Sequence, residues 1–253
     1  MYNLYRGLLP MQFNEKPLVH VNDIVFHQTL TQRILETGQH DAWVPHWGSG
    51  AAVLRYYQNF SHLAAAALAR LCGITSLSAV VLVNALFFAA YPAVIFWSAR
   101  KSGLEPFAAG FASLASLIVG CDTAQKHLFG LQSWSFTWEG WGLYTQIVAA
   151  VWAFLAWGQA VQFVVHGQGF LRASVYLALA WLSHLIVGYG MSAVTVVLVL
   201  GVYRPGTAAP LKAIGFAFAR WLAMNLTAAF LISYLILPTL VEVSRFFGRS
   251  TLF

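Results

Sequence analysis

From residue 61 onward the chain is a succession of long apolar runs joined by short polar connections, whereas residues 1–60 are mixed and mostly polar. Six runs read as membrane crossings: 76–98, 105–121, 142–165, 170–187, 189–203 and 212–237. A hydrocarbon core of about 30 Å takes roughly 20 apolar helical residues, so the fifth run is short for a crossing. Only "GYGMS" separates the fourth and fifth runs, which predicts a tight hairpin or one broken helix there. Residues 52–72 are apolar at their end but carry Arg55, His62 and Arg70. They read as a helix on the membrane surface, with a seventh span as the alternative. The pattern predicts an all-α fold, a polytopic transmembrane helix bundle of about six spans over residues 76–253. An extracytoplasmic segment of amphipathic surface helices precedes it, residues 1–75. No internal repeat or linker marks a further domain.

Composition supports the membrane reading. Of 253 residues, 59% are hydrophobic and 9% charged, and mean hydropathy is +0.68. Soluble domains carry about 25% charged residues. The net charge of +6 is scattered rather than clustered, which argues against a nucleic-acid patch. Cys72 and Cys121, both at predicted helix ends, form neither a disulfide framework nor a CxxC site. The N-terminus "MYNLYRGLLPMQFNEK" lacks the apolar core and cleavage site of a signal peptide. With residues 1–75 outside, the inner loops hold Arg100, Lys101, Arg172, Arg204 and Lys212, against Lys126, Arg245 and Arg249 in the outer short loops and tail. The short loops modestly favour this orientation, while a raw count that includes residues 1–75 slightly opposes it. That orientation gathers every acid except Glu105 on the outer face.

The candidate chemistry begins in "HVNDIVFHQTL". At about 100° per residue, Asp23, His27, Leu30 and Ile34 share one narrow sector of a helix, and Gln28, Thr29, Gln32 and Glu36 fall opposite. An amphipathic helix ordinarily groups Asp and His with its polar residues. Here they join the apolar stripe, where a carboxylate is costly unless paired. Asp23 therefore reads as a helix cap or as a catalytic base, and the two roles are compatible. His20, Asp23 and His27 could alternatively face one divalent metal, although the HExxH signature is missing. His40, Asp41 and His46 alternate with Trp43, Trp47, Tyr56 and Tyr57, and Lys126, His127 and Glu139 lie in a Trp-rich outer loop. These suit sugar hydroxyls or an anionic head group, or belong to an interfacial aromatic belt and solvated loops. His184, near a span end, is either functional or a hydrogen-bonded bundle residue.

The order of "DIVFHQTLTQRILETG", "WVPHW", "GSGAAVLRYYQNFSHLAAAAL" and "LALAWLSHLIVGYG" resembles the GT-C superfamily of polytopic membrane glycosyltransferases. It is most similar to the bacterial and archaeal membrane proteins labelled as related to 6-pyruvoyl-tetrahydropterin synthase. The resemblance implies transfer of a sugar from a polyprenyl-phosphate donor to an acceptor hydroxyl on the extracytoplasmic face of a bacterial cytoplasmic membrane. It implies Asp23 as the catalytic loop carboxylate, His27 as its accompanying catalytic histidine and 52–72 as the second surface helix. The residue chemistry itself offers His40, Asp41, His46, Arg55, Lys126, His127 and Glu139 as substrate-binding candidates. No cofactor is implied beyond the alternative of a divalent metal. The partners are the lipid-linked donor and membrane lipids. The superfamily's first span has no counterpart before Asp23, so a fragment with reduced activity is the expectation. The rival functions are a transporter or channel, and a non-catalytic scaffold or pseudoenzyme.

Overall fold

A computed structural model describes residues 22–40, 58–122, 127–129, 144–201 and 210–247. In chain order its elements are α1 (Asn22–Thr37), α2 (Phe60–Cys72), α3 (Ser76–Lys101), α4 (Pro106–Ile118), β1 (Val119–Asp122), β2 (His127–Phe129), α5 (Tyr144–Ala160), α6 (Phe170–Ser183), α7 (Leu185–Val194), α8 (Val197–Gly201), α9 (Pro210–Leu231) and α10 (Ser233–Phe247). A π-helical turn, Val161–Val165, extends α5. The helical expectation holds, apart from the small antiparallel ladder that pairs Val119 with Phe129 and Asp122 with His127. That ladder shortens the expected 105–121 helix to end at Ile118 and places Cys121 in a strand.

Among the described residues three helices are long and apolar enough to cross a membrane: Ser76–Lys101, Tyr144–Val165 and Leu211–Leu231. The other expected spans correspond to shorter helices. At 1.5 Å per residue, the 14 residues of α6 reach only about 21 Å. The N-terminus of α3 is capped by Thr75, whose hydroxyl accepts from the Ser78 N–H at 3.2 Å. Its last turn carries Arg100 and Lys101, the sign that a helix C-terminus favours.

α5 is central because its two halves serve two cores. Tyr144, Ile147, Val148 and Val151 pack with Val80, Val83, Phe88 and Tyr91 of α3 and Ala65 and Ala69 of α2. Ala156 and Ala160 pack with Leu177 of α6, Met224 and Ala228 of α9, and Ile232. The small residues on α5 let α6 and α9 approach closely, as bundle interfaces in membranes require.

The expected break at "GYGMS" is corrected. α7 runs helically through Gly188–Ser192, and the chain breaks earlier, at His184, whose backbone is extended (φ −157, ψ 113). The chain then doubles back, bringing Trp181 Nε1 to 3.1 Å from Ser192 Oγ. Gly188 serves this reversal as a close-contact residue: a Cβ there would lie 2.3 Å from Trp181 Cδ1.

The 52–72 expectation also shifts. Gln58 and Asn59 are non-helical, and α2 starts at Phe60. α2 ends at Cys72, and the left-handed backbone of the following Gly73 (φ 65) closes the helix with an N–H bond to the Ala69 carbonyl.

Candidate functional site

α1 turns one face onto α2 and α3, and that face is the stripe read from the sequence. His27, Leu30 and Ile34 are buried, with Leu30 and Ile34 packed on Ala66 and Leu63. Burying these two aliphatic side chains contributes roughly 1.5–3 kcal/mol each. The opposite face carries Gln32, which donates to Glu36 at 3.1 Å, and an Arg33–Glu36 ion pair at 3.4 Å. An exposed pair of this kind adds about 0–1 kcal/mol, so the buried face anchors the helix. Arg70 of α2 reinforces the junction by donating to the Leu35 carbonyl at 3.2 Å.

His27 meets a second imidazole at this junction. Its Nδ1 lies 2.9 Å from Nε2 of His62 on α2, and both rings are almost fully buried. Each ring also borders Tyr144, the first residue of α5, at centroid distances of 5.2 and 6.0 Å. The Tyr144 hydroxyl donates to the Ser61 carbonyl, and the Thr31 hydroxyl donates to the His27 carbonyl at 2.9 Å. The backbones beneath both imidazoles are thereby fixed. Asn59, just before α2, accepts at Oδ1 from the Tyr234 hydroxyl of α10 at 3.1 Å.

Electrostatics at His62 follow from its surroundings. Burial first, and then the adjacent His27, hold its pKa well below the ordinary histidine value, while the Gln58 backbone acts weakly in the opposite sense. His62 is thus neutral at neutral pH, and a neutral ring can accept one hydrogen bond while donating another.

Of the sequence candidates, the structure brings His27 into this cluster. His40 is exposed and presents its ring edge-on to Tyr234, 5.9 Å away between centroids. Asp23 is placed by its backbone, one turn before His27 on α1, and His127 by its backbone in β2. His20, Asp41, His46, Arg55, Lys126 and Glu139 lie outside the described residues. Among the described residues no group of three or more His, Cys, Asp or Glu side chains is arranged to hold a metal.

Three members of the cluster, His62, Tyr144 and Asn59, were not singled out as site residues by the sequence pattern. His62 is 35 residues from His27, and Tyr144 is 83 residues from Ser61. The available signal was weak: polar residues at the start of otherwise apolar helices, in "QNFSH" and "LYTQ".

Arg220 is a further residue that periodicity passed over. From the middle of α9 it donates through Nη1 to the carbonyls of Val164 and Val165, at 3.3 and 3.4 Å. It thereby satisfies acceptors at the end of α5 with a cation of the favourable sign.

No family model matches the chain, and no curated protein or solved structure is significantly similar to it.

Proposed function

We propose that the protein is a multi-pass membrane glycosyltransferase of the GT-C kind, using a polyprenyl-phosphate sugar as donor and an acceptor hydroxyl on the extracytoplasmic face. The observation that carries the reading is the buried His27–His62 pair where α1 and α2 join the bundle. A titratable pair enclosed beside long apolar helices combines acid–base groups with a surface suited to a lipid tail.

In the proposed reaction the acceptor oxygen forms a bond to the anomeric carbon as the bond from that carbon to the phosphate oxygen breaks. The acceptor proton passes to a base, and the polyprenyl phosphate leaves with the bonding electrons. Asp23 and His27, one turn apart on α1, are the proposed base and its companion. Arg55 and Lys126 are proposed to stabilise the departing phosphate. His40, Asp41, His46, His127 and Glu139 are proposed to contact sugar and acceptor. The proposed site is a bacterial cytoplasmic membrane with this segment outside. A divalent metal is the alternative proposal for assisting the phosphate.

A transporter would place unsatisfied polar groups along a path through the bundle. Buried Ser98 Oγ, Gln146 Oε1 and His184 Nδ1 lack a hydrogen-bond partner among the described residues, whereas the half-buried Arg220 has its guanidinium engaged by two backbone carbonyls. That favours a structural role for it.

The test compares lipid-linked sugar and glycan profiles of cells expressing the wild type or Asp23→Asn. The reading requires the donor to accumulate and the glycosylated product to fall in the variant. Unchanged profiles at equal protein level would remove the assignment.

A further inference from the structure

We propose that the N-terminus of α6, together with Gln159 of α5 and Arg172, is a binding site for a phosphate group, that of an anionic phospholipid at the membrane boundary. The site lies at the far end of α5 from the His27–His62 pair. From Tyr144 to Gln159 the helix rises about 22 Å, so the proposal stands independently of sugar transfer.

α6 starts without a cap. Its N-cap residue is Gly169, which has no side chain to offer, and no side-chain bond caps the helix. Among the described residues the Phe170, Leu171 and Arg172 N–H groups make no backbone hydrogen bond. Three donors therefore stand at the helix start, where the backbone dipoles concentrate positive charge. An acidic residue in the first turn would ordinarily answer them. α6 has none there and carries Arg172 instead, a cation where the dipole disfavours one. An anion whose oxygens accept from these donors relieves both defects.

Gln159 points to the same place independently. It is 6% exposed, yet among the described residues its side chain makes no hydrogen bond. A buried carboxamide ordinarily finds a partner, because removing it from water unpaired is costly. This one is aimed at the helix start: a Cβ on Gly169 would lie 2.7 Å from Gln159 Oε1. Gly169 also has a left-handed backbone (φ 83), so glycine is what leaves the carboxamide this approach. Rotation about its last bond exchanges oxygen for nitrogen and presents N–H donors beside those of α6.

The surroundings identify the anion. α3 and α5 are both long and apolar enough to span, and they end at the same level, where Gln162 Nε2 donates to the Lys101 carbonyl at 3.0 Å. The start of α6 therefore lies at the boundary that lipid head groups occupy. Arg100 and Lys101 close α3, and Arg220 engages the carbonyls of Val164 and Val165. Against these cations and Arg172, the α3–α4 connection supplies one carboxylate, Glu105. Phe170 and Leu171 are exposed beside Arg172 and offer an acyl chain an apolar surface that a free phosphate would not use.

The test uses the full chain in nanodiscs of phosphatidylcholine, alone or with added phosphatidylglycerol. Native mass spectrometry counts the lipid retained, and thermal midpoints are read in parallel. The wild type is expected to retain phosphatidylglycerol selectively and to melt higher with it. Gln159→Leu changes no charge and is expected to weaken that binding by roughly 10- to 10²-fold, the worth of a hydrogen bond to a charged group. Arg172→Glu supplies the missing first-turn acid. It is expected to abolish the phosphatidylglycerol effect while melting no lower than wild type in phosphatidylcholine alone. Arg172 is exposed, so this variant keeps the proposal falsifiable if Gln159→Leu does not fold. Equal wild-type behaviour in the two lipid mixtures overturns the proposal. A folded Gln159→Leu that keeps the full effect overturns it too, since a diffuse attraction to basic residues would then suffice. Inorganic phosphate added to phosphatidylcholine nanodiscs is expected to leave the midpoint unchanged. A gain equal to that from phosphatidylglycerol would overturn the lipid as the source of the phosphate.

Discussion

The phenol of Tyr144 donates a hydrogen bond to the backbone carbonyl of Ser61, joining the first residue of α5 to the first turn of α2 across 83 residues of sequence. The next residue along α2 is His62, so this bond fixes the peptide that carries the inner imidazole. Tyr144→Phe keeps the ring packing and removes the donor, while the Ser61 carbonyl keeps its acceptor role inside α2. The expected loss is about 0.5–1.5 kcal/mol of stability. It is measured as a lower thermal midpoint in detergent or nanodiscs, and a midpoint equal to wild type would contradict it.

Stability should fall on the acid side. The folded-state pKa of His62 lies below its ordinary 6.5, chiefly through burial and then through His27. The unfolded chain therefore binds more protons than the folded one as pH drops. Stability is fully present above about 6.5 and is lost as pH falls from there toward the depressed folded value. Thermal midpoints across pH 4–8 should show this decline in the wild type and a shallower one in His62→Gln. Equal slopes would remove His62 as the responsible group.

Two glycines of α7 should respond oppositely to alanine. At Gly188 the added Cβ would come within 2.7 Å of the Trp181 Cα as well as its indole, so backbone must move. Overpacking of this kind costs typically about 1–3 kcal/mol. At Gly190 nothing lies within 4 Å. There alanine should be neutral or gain roughly 0.5–1 kcal/mol from helix propensity. Paired thermal melts decide between this contrast and a uniform response.

Arg220→Leu should loosen the junction of α5 and α9. The substitution removes a cation from two helix-end carbonyls, a contribution of about 0.3–2 kcal/mol. Hydrogen exchange should rise first at the end of α5. Faster exchange elsewhere, with Val164 and Val165 unchanged, would place the role of Arg220 in another contact.

These residues also mark how far the sequence could be read. The α1 stripe was legible because a 3.6-residue period puts His27, Leu30 and Ile34 on one side, and burial follows that side. Long uniform apolar runs were equally legible in α3 and α5. Shorter runs are not, since no Gly or Pro stands at the junction of α6 and α7 around His184. Gly188 and Gly190 suggested a break there, but Gly188 provides close packing with Trp181 and lies inside a helix. His62 is not legible as a site residue because pairing across 35 positions depends on how α2 docks on α1, which no local period encodes.

The bond between Asn59 and Tyr234 has a consequence for how the molecule is made. These partners are separated by 175 positions, so a ribosome must deliver nearly all of the bundle before Asn59 can engage the last described helix. The neighbourhood of His62 thus reaches its final form late in biogenesis, after α1 and α2 have been synthesised and while they wait for α10. Early-made residues are completed by a late-made one, and insertion of the C-terminal helices becomes a maturation step for the N-terminal site.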